Sequence, residues 1–279
     1  MPSFATPGPI SLTLDLVSGT ALITAADRDD TVVEVGPGDA DNANDVKAAE
    51  GTEVDFTAGR LTVRTPRSRS IFGRPGSVDV VVRLPTGSTV VAKGSLADFH
   101  AEGTLGECRF TTSAGNLRLA DTGPLKAGTS SGDVLVGRVT GRAELSTGSG
   151  ELRVGTLDGP GTVKNSNGVT WIGEVTGDLK VNAANGDIHV GHAAGDVRAT
   201  TANGHIRVTE VVRGSLEVQT KSGELEIGIR EGTAAWLDVR STAGRVRNEL
   251  TGTDTPGDAE ERVEVHARTY LGNILIHRS

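Results

Sequence analysis

Aromatic side chains are scarce in this 279-residue sequence, with five Phe, two Trp and one Tyr. A core built on stacked rings is thereby excluded, and aliphatics with alanine must fill the interior. There is one cysteine, Cys108, so no intramolecular disulfide can form. No apolar run approaches the roughly 18 residues that a membrane-crossing helix needs. The opening MPSFATPGPI has no basic segment followed by an apolar one, and read as it stands it predicts a cytoplasmic protein. Basic charge is also in short supply. Lys and Arg number 28 against 36 Asp and Glu, a formal charge of −8, and the pI is near 5.3. A dedicated nucleic-acid binder would present a net basic field instead.

What the sequence has is glycine, 38 residues of it, set at a fixed period. Gly115, Gly132, Gly150, Gly168, Gly186, Gly204 and Gly223 follow one another at spacings of 17, 18, 18, 18, 18 and 19. A second series, offset by nine, runs Gly106, Gly123, Gly141, Gly159, Gly177, Gly195 and Gly214. After the first series the second and fourth positions are mostly aliphatic, as in Leu117/Leu119, Val134/Val136, Leu152/Val154, Ile188/Val190, Ile206/Val208 and Leu225/Ile227. After the second series come Cys108/Phe110, Leu125/Ala127, Ala143/Leu145, Leu179/Val181, Val197/Ala199 and Leu216/Val218. Period two means strand. Strands this short bury a face only by stacking coil on coil, so the pattern predicts an all-β parallel β-solenoid with two short strands per ~18-residue coil. Three residues before the first-series glycines stand Thr112, Thr129, Thr147, Asn165, Ala183, Thr201 and Thr220, and the threonine hydroxyls among them are expected to bond turn amides.

Before about Gly94 the period breaks. Longer alternating runs appear at Ile10 to Leu16, Thr31 to Val35, Leu61 to Val63 and Val78 to Leu84, separated by turn signals such as Gly36-Pro37-Gly38 and Pro85-Thr86-Gly87. They predict an antiparallel β-meander cap over residues 1–93, packed continuously with solenoid repeats over 94–279. Beyond Gly232 the spacing loosens around a polar, acidic stretch, TGTDTPGDAEE at 251–261, which reads as a surface loop. The strands Val263 to Val265 and Ile274 to Ile276 are expected to close the chain, and Trp236 to serve as core or cap.

The repeat is also a test of each tempting motif. Gly128-Thr129-Ser130-Ser131-Gly132 spells a nucleophile elbow, but that motif needs a strand, a strained turn and a helix, and the serine's counterparts one coil on are Gly148, Ser166, Ala184 and Ala202. Gly-Asp pairs at 132/133, 177/178, 186/187 and 195/196 resemble a calcium roll. Their counterparts Asn116, Glu151, Val169, His205 and Glu224 break any ladder of hard oxygen ligands. Asp187, His189 and His205 fall on one face, where a flat sheet seldom converges three ligands. No catalytic residue, cofactor site, metal site or small-molecule substrate is read from the sequence.

On the outward face, Asp133, Glu151, Asp187 and Glu224 follow the glycines, and Arg118, Arg153, Arg207 and Arg247 stand two positions on. This reads as a solvated lattice of ion pairs. Val169 and Trp171 break the charge rule, with Leu135 two coils away, and read either as an interface for a protein partner or a second copy of the chain or as a patch beneath a loop such as 251–261. Separately, the basic loop 64–75 carries Arg64, Arg67, Arg69 and Arg74 around Ile71 and Phe72, which reads as a long hairpin connection whose arginines pair with local carboxylates or, alternatively, as a contact with an anionic membrane surface or a partner.

The stretches TPGPISLTLDL, ADRDDTVVEV, GELRVGTLDGPGTVKNSNGVTWIGEVTGDLKVNAANGDIHV and VEVHARTYLGNILIHRS resemble actinobacterial members of the family labelled "putative adhesin", a β-strand repeat-containing domain of unknown function. The resemblance spans essentially the whole chain and rests on scaffold motifs, so it transfers no catalytic residue. The regular surface without a concave reactive site reads as a non-enzymatic scaffold or protein-interaction module, with a peripheral envelope-stress module docked on anionic lipid through loop 64–75 as the alternative.

Overall fold

A computed structural model describes residues 2–66, 75–250 and 261–279. It resolves into two compact units, 1–140 and 141–279, taken in turn here.

In the first unit the parallel stack begins earlier than the glycine period does. Strand Ser11–Ala26 runs parallel to strand Thr89–Leu105 from Ser11↔Thr89 to Thr24↔Glu102. Thr89–Leu105 in turn carries Cys108–Ala114 on its first half and Leu117–Thr122 on its second. It passes without a break through position 94. The expected antiparallel strands are present as pairings of Ser3–Ala5 with Asp30–Pro37, of Asp30–Pro37 with Val78–Pro85, and of Glu53–Thr57 with Arg60–Arg64. Helix Ala43–Glu50, absent from the sequence reading, starts where the Asn42 side chain accepts the Asn44 amide at 3.0 Å. The core is aliphatic apart from Phe99 and Phe110, which meet edge to face at 5.9 Å.

In the second unit every coil contributes one strand to each of two parallel ladders. Ala143 pairs with Gly161, Gly161 with Leu179, Leu179 with Val197 and Val197 with Leu216. Leu152, Thr170, Ile188, Ile206 and Leu225 form the other ladder. The residues assigned inward are buried, Leu152, Val154, Leu179, Val181, Ile188, Val190, Ile206 and Val208 among them. Each such aliphatic side chain contributes on the order of 1.5–3 kcal/mol, repeated at every level.

The corners explain the glycine period. Gly168 has φ +136°, and a Cβ there would lie 2.1 Å from the carbonyl oxygen of Gly150 one level below. Backbone stacks directly on backbone. The inward threonines meet those corners, with one change from expectation: they donate to carbonyls, not bond amides. Thr201 Oγ1 donates to Gly186 O at 3.2 Å, Thr220 to Gly204 O at 3.0 Å and Thr269 to Gly223 O at 3.0 Å. Asn165 does the same to Gly150 O with its amide at 3.2 Å.

The end of the chain departs from coil-by-coil order. Strand Glu261–Leu271 lies between Gly214–Ser222 and Thr233–Ala243, parallel to both. Ile274–Arg278 lies between Leu225–Ile229 and Val246–Asn248. The C-terminal strands are therefore one level inside, and the outermost coil is 233–248. Val263, Val265, Ala267, Ile274 and Ile276 of these inner strands are buried, while Ala235, Leu237 and Val239 opposite them are half-buried and Asn248 stands opposite Ile276. Trp236 is not core, being 57% exposed on that outermost coil.

Candidate functional site

Val169 and Trp171 stand on the outward face of the coil that begins at Gly168, just before and within strand Thr170–Val175. In register, Trp171 lies between Arg153 below and His189 above. The Arg153 guanidinium sits over the indole, 5.2 Å from its centroid. It is also anchored by Glu151 Oε1 at 2.6 Å, so the cation is held on the ring. On the strand itself the indole reaches across Gly173, where a Cβ would meet Cη2 at 3.0 Å. Gly173 lies in a glycine file with Gly155 and Gly191, which the sequence reading did not single out. That flat strip is what gives the ring room to lie down. Trp171 is accordingly half-buried, while Val169 is 42% exposed. Leu135, in the first unit, is half-buried opposite Arg118.

The same coil is inverted on its inward side. Thr170 occupies the slot filled by Leu152 below and Ile188 above. It is fully buried, and among the described residues its hydroxyl has no hydrogen-bond partner. An unmatched buried hydroxyl costs about 1–3 kcal/mol. Here an apolar pair faces out and a polar group faces in.

Around this coil the polar groups engage one another. Arg207 meets Glu226 at 2.6 Å, and Arg198 meets Glu217 at 2.6 Å. The Arg207 guanidinium beside Glu226 holds that carboxyl below the usual range. Side chains after the glycines cap the coil above them: Asp187 Oδ1 accepts the His205 amide at 2.8 Å, and His205 Nδ1 accepts the Glu224 amide at 3.0 Å. Asp187 and His205 thus spend those atoms on backbone, and among the described residues no three His, Cys, Asp or Glu side chains group as metal ligands. A second ladder, also missed in sequence, links Asn203 Nδ2 to Asn185 Oδ1 at 2.8 Å and Asn185 Nδ2 to Asn167 Oδ1 at 3.0 Å. Its signal was the Asn-Gly dipeptide recurring at 167, 185 and 203.

Ser130 of the elbow-like string is exposed at the end of strand Leu125–Ser131, and another strand, Val134–Thr140, follows the corner. The strand–turn–helix context of a nucleophile is missing there. Cys108 is buried, and burial pushes its thiol up to about 12, far from a reactive thiolate. An open groove of about 380 Å³ crosses the other ladder where Gly161 and Thr162 replace bulkier residues. Its walls include Glu144, Lys180 and the paired Arg198 and Glu217. Arg67, Arg69, Ile71, Phe72 and Arg74, from the basic loop, lie outside the described residues.

The chain belongs to the Toastrack DUF4097 family, whose model matches residues 11–277. Among solved structures it is similar to a "putative adhesin" from Bacteroides fragilis, at 11% identity over 99% of this chain and 95% of that one, TM-score 0.35. A second "putative adhesin", from Parabacteroides merdae, shares 12% identity over 100% and 95% of the two chains, TM-score 0.36. A "putative lipid binding protein" from Parabacteroides distasonis shares 12% over 100% and 95%, TM-score 0.26. No protein of curated function matches the sequence.

Proposed function

We propose that this Toastrack chain is a non-enzymatic binding scaffold that engages a protein partner through the face carrying Val169 and Trp171. The observation behind this reading is the inverted coil. Thr170 is buried without a partner while Val169 and Trp171 are turned outward. A swap of positions would satisfy both sides, so stability alone does not account for the arrangement, and departures of this kind concentrate where a surface has work to do. Tryptophan and arginine are also among the residue types enriched where interfaces concentrate their energy. Polar neighbours flank that anchor, the Arg153–Glu151 pair on the level below and His189 on the level above.

Affinity capture from the native host with the wild-type chain and with Trp171→Ala tests the proposal. A partner retained by the first and lost by the second is the expected result. Capture that ignores Trp171, or no partner at all for a well-folded chain, would overturn it.

A further inference from the structure

The outermost coil of the second unit ends in an open layer. Among the described residues, strand Thr233–Ala243 pairs only with Glu261–Leu271, and Val246–Asn248 only with Ile274–Arg278. Its inward row is short of cover. Ala235, Leu237 and Val239 are half-buried, where their register partners Val263, Val265 and Ala267 are buried. Val246 is 46% exposed against 1% for Ile274 beneath it. An unpaired edge above an unfinished core is a template for another strand.

The edge chemistry says which strand. The carbonyl of Ala243 accepts from Gly272 at 3.1 Å, which turns its backbone groups toward the inner neighbour. By alternation, Asp238 and Arg240 direct their N–H and C=O groups away from the stack, and Val239 directs its own inward. Two copies of this strand laid antiparallel about a two-fold axis at Val239 place Asp238 of each opposite Arg240 of the other. Those two residues are then hydrogen-bonded pairs of opposite charge on the outward side, and Leu237 faces Ser241 on the inward side. The other ladder offers a second self-complementary charge pair nine residues on, with the opposite hydrogen-bond parity. The Glu249 amide donates inward to Ile276 O at 2.8 Å, so Val246 and Asn248 direct their backbone groups outward. An axis at Asn248 sets Arg247 opposite Glu249 of the second copy. Within one chain Arg247 and Glu249 already pair at 2.7 Å, and Asp238 is steadied by Arg268 at 3.1 Å. Both edges are charge-complementary to themselves, the first through the hydrogen-bonded pairs Asp238 and Arg240, the second through Arg247 and Glu249 on the non-hydrogen-bonded pairs that flank Asn248.

We infer that the 233–248 end of the second unit is a self-association surface that joins two copies through antiparallel edge pairing centred on Val239 and Asn248. This surface is separate from the Trp171 face, so the two proposals stand or fall independently.

Light scattering on the full chain across a dilution series tests it. The wild type is expected at twice the 28.8 kDa chain mass. Arg240→Pro removes an outward N–H and leaves the inner ladder intact, and is expected to give monomer with an unchanged circular dichroism spectrum. Arg240→Glu faces Asp238 of the other copy with a like charge at two symmetric points, and is expected to weaken dimerisation at least about ten-fold. It decides the question if the proline variant fails to fold. Trp171→Ala should leave the dimer intact. A monomeric wild type, meaning that the chain covers its own edge, would overturn the inference. So would a dimer insensitive to a folded Arg240 variant, or a ladder of higher oligomers from head-to-tail pairing.

Discussion

The guanidinium of Arg153 caps the indole of Trp171 from the coil below, 5.2 Å from the ring centroid. Neither residue is a sequence neighbour of the other; the register of one repeat brings them together. A partly exposed cation–π pair of this kind contributes about 0.5–1 kcal/mol. A double-mutant cycle with Arg153→Ala and Trp171→Ala, read by chemical denaturation, should return a coupling of that size. A coupling of zero would mean that the indole is held by Gly173 and its own strand alone.

Thr170 gives a test with the opposite sign. Thr170→Val keeps the shape and removes the unmatched hydroxyl, so the folded state should gain about 1–2 kcal/mol. If the inverted coil is kept for binding through its outward side, partner capture should be undiminished in this variant. Loss of stability would show that the hydroxyl has a partner after all.

Inward charge should be intolerable. Val190→Asp buries a carboxylate between Ile172 and Val208, and Leu152→Asp buries one beside Thr170, whose hydroxyl cannot neutralise a charge. Each is expected to abolish cooperative folding, read as loss of the thermal transition. A soluble, cooperatively melting product from both would refute the inward assignment.

His266 supplies a pH dependence. Its ring bonds Glu264 Oε1 at 2.8 Å and reaches Asp238 at 3.4 Å, with Arg268 on the same carboxylate. The Glu264 hydrogen bond is the main cause of a folded-state pKa above the ordinary 6.5, and Asp238 adds to it. A raised folded value means that the native state binds the proton more tightly. The stabilisation is complete below 6.5 and is lost as pH rises through the folded-state value. Asp238, lowered chiefly by Arg268 and then by His266, acts the other way, losing its contribution as pH falls through its folded-state value. In His266→Gln the decline in melting temperature above neutral pH should flatten, while the acid-side decline remains. An unchanged neutral-side slope would show that the clasp carries no weight.

The glycine period made the regular coils legible because both requirements at a corner, φ > 0 and backbone packed on backbone, admit one residue type. Where a corner is met differently, the signal fails. Ala97 takes the place under Gly115, so strand Thr89–Leu105 does not announce itself as a coil, and its partner Ser11–Ala26 is 78 residues away at Ser11↔Thr89. The order at the C-terminal end was hidden for another reason. Strands 233–243 and 261–271 both alternate correctly and carry inward rows of similar apolarity, Ala235, Leu237 and Val239 against Val263, Val265 and Ala267, so the pattern does not say which lies inside. Of the outward residues, Val169 and Trp171 were visible as departures from a charge rule. Gly173 and the buried Thr170 were not, since a glycine inside a strand and a threonine at an inward position are each unremarkable until the levels above and below are known.

The inserted C-terminal strands bear on how the chain comes to be folded. During synthesis, residues 233–248 emerge before 261–278, and the last formed level, Gly214–Ile229, offers them the nearest edge. Final order requires that edge to be held for a segment made later, or surrendered to it. Winding in chain order therefore cannot by itself produce the native ladder: strand 261–271 has to take its place between two levels that precede it in the chain.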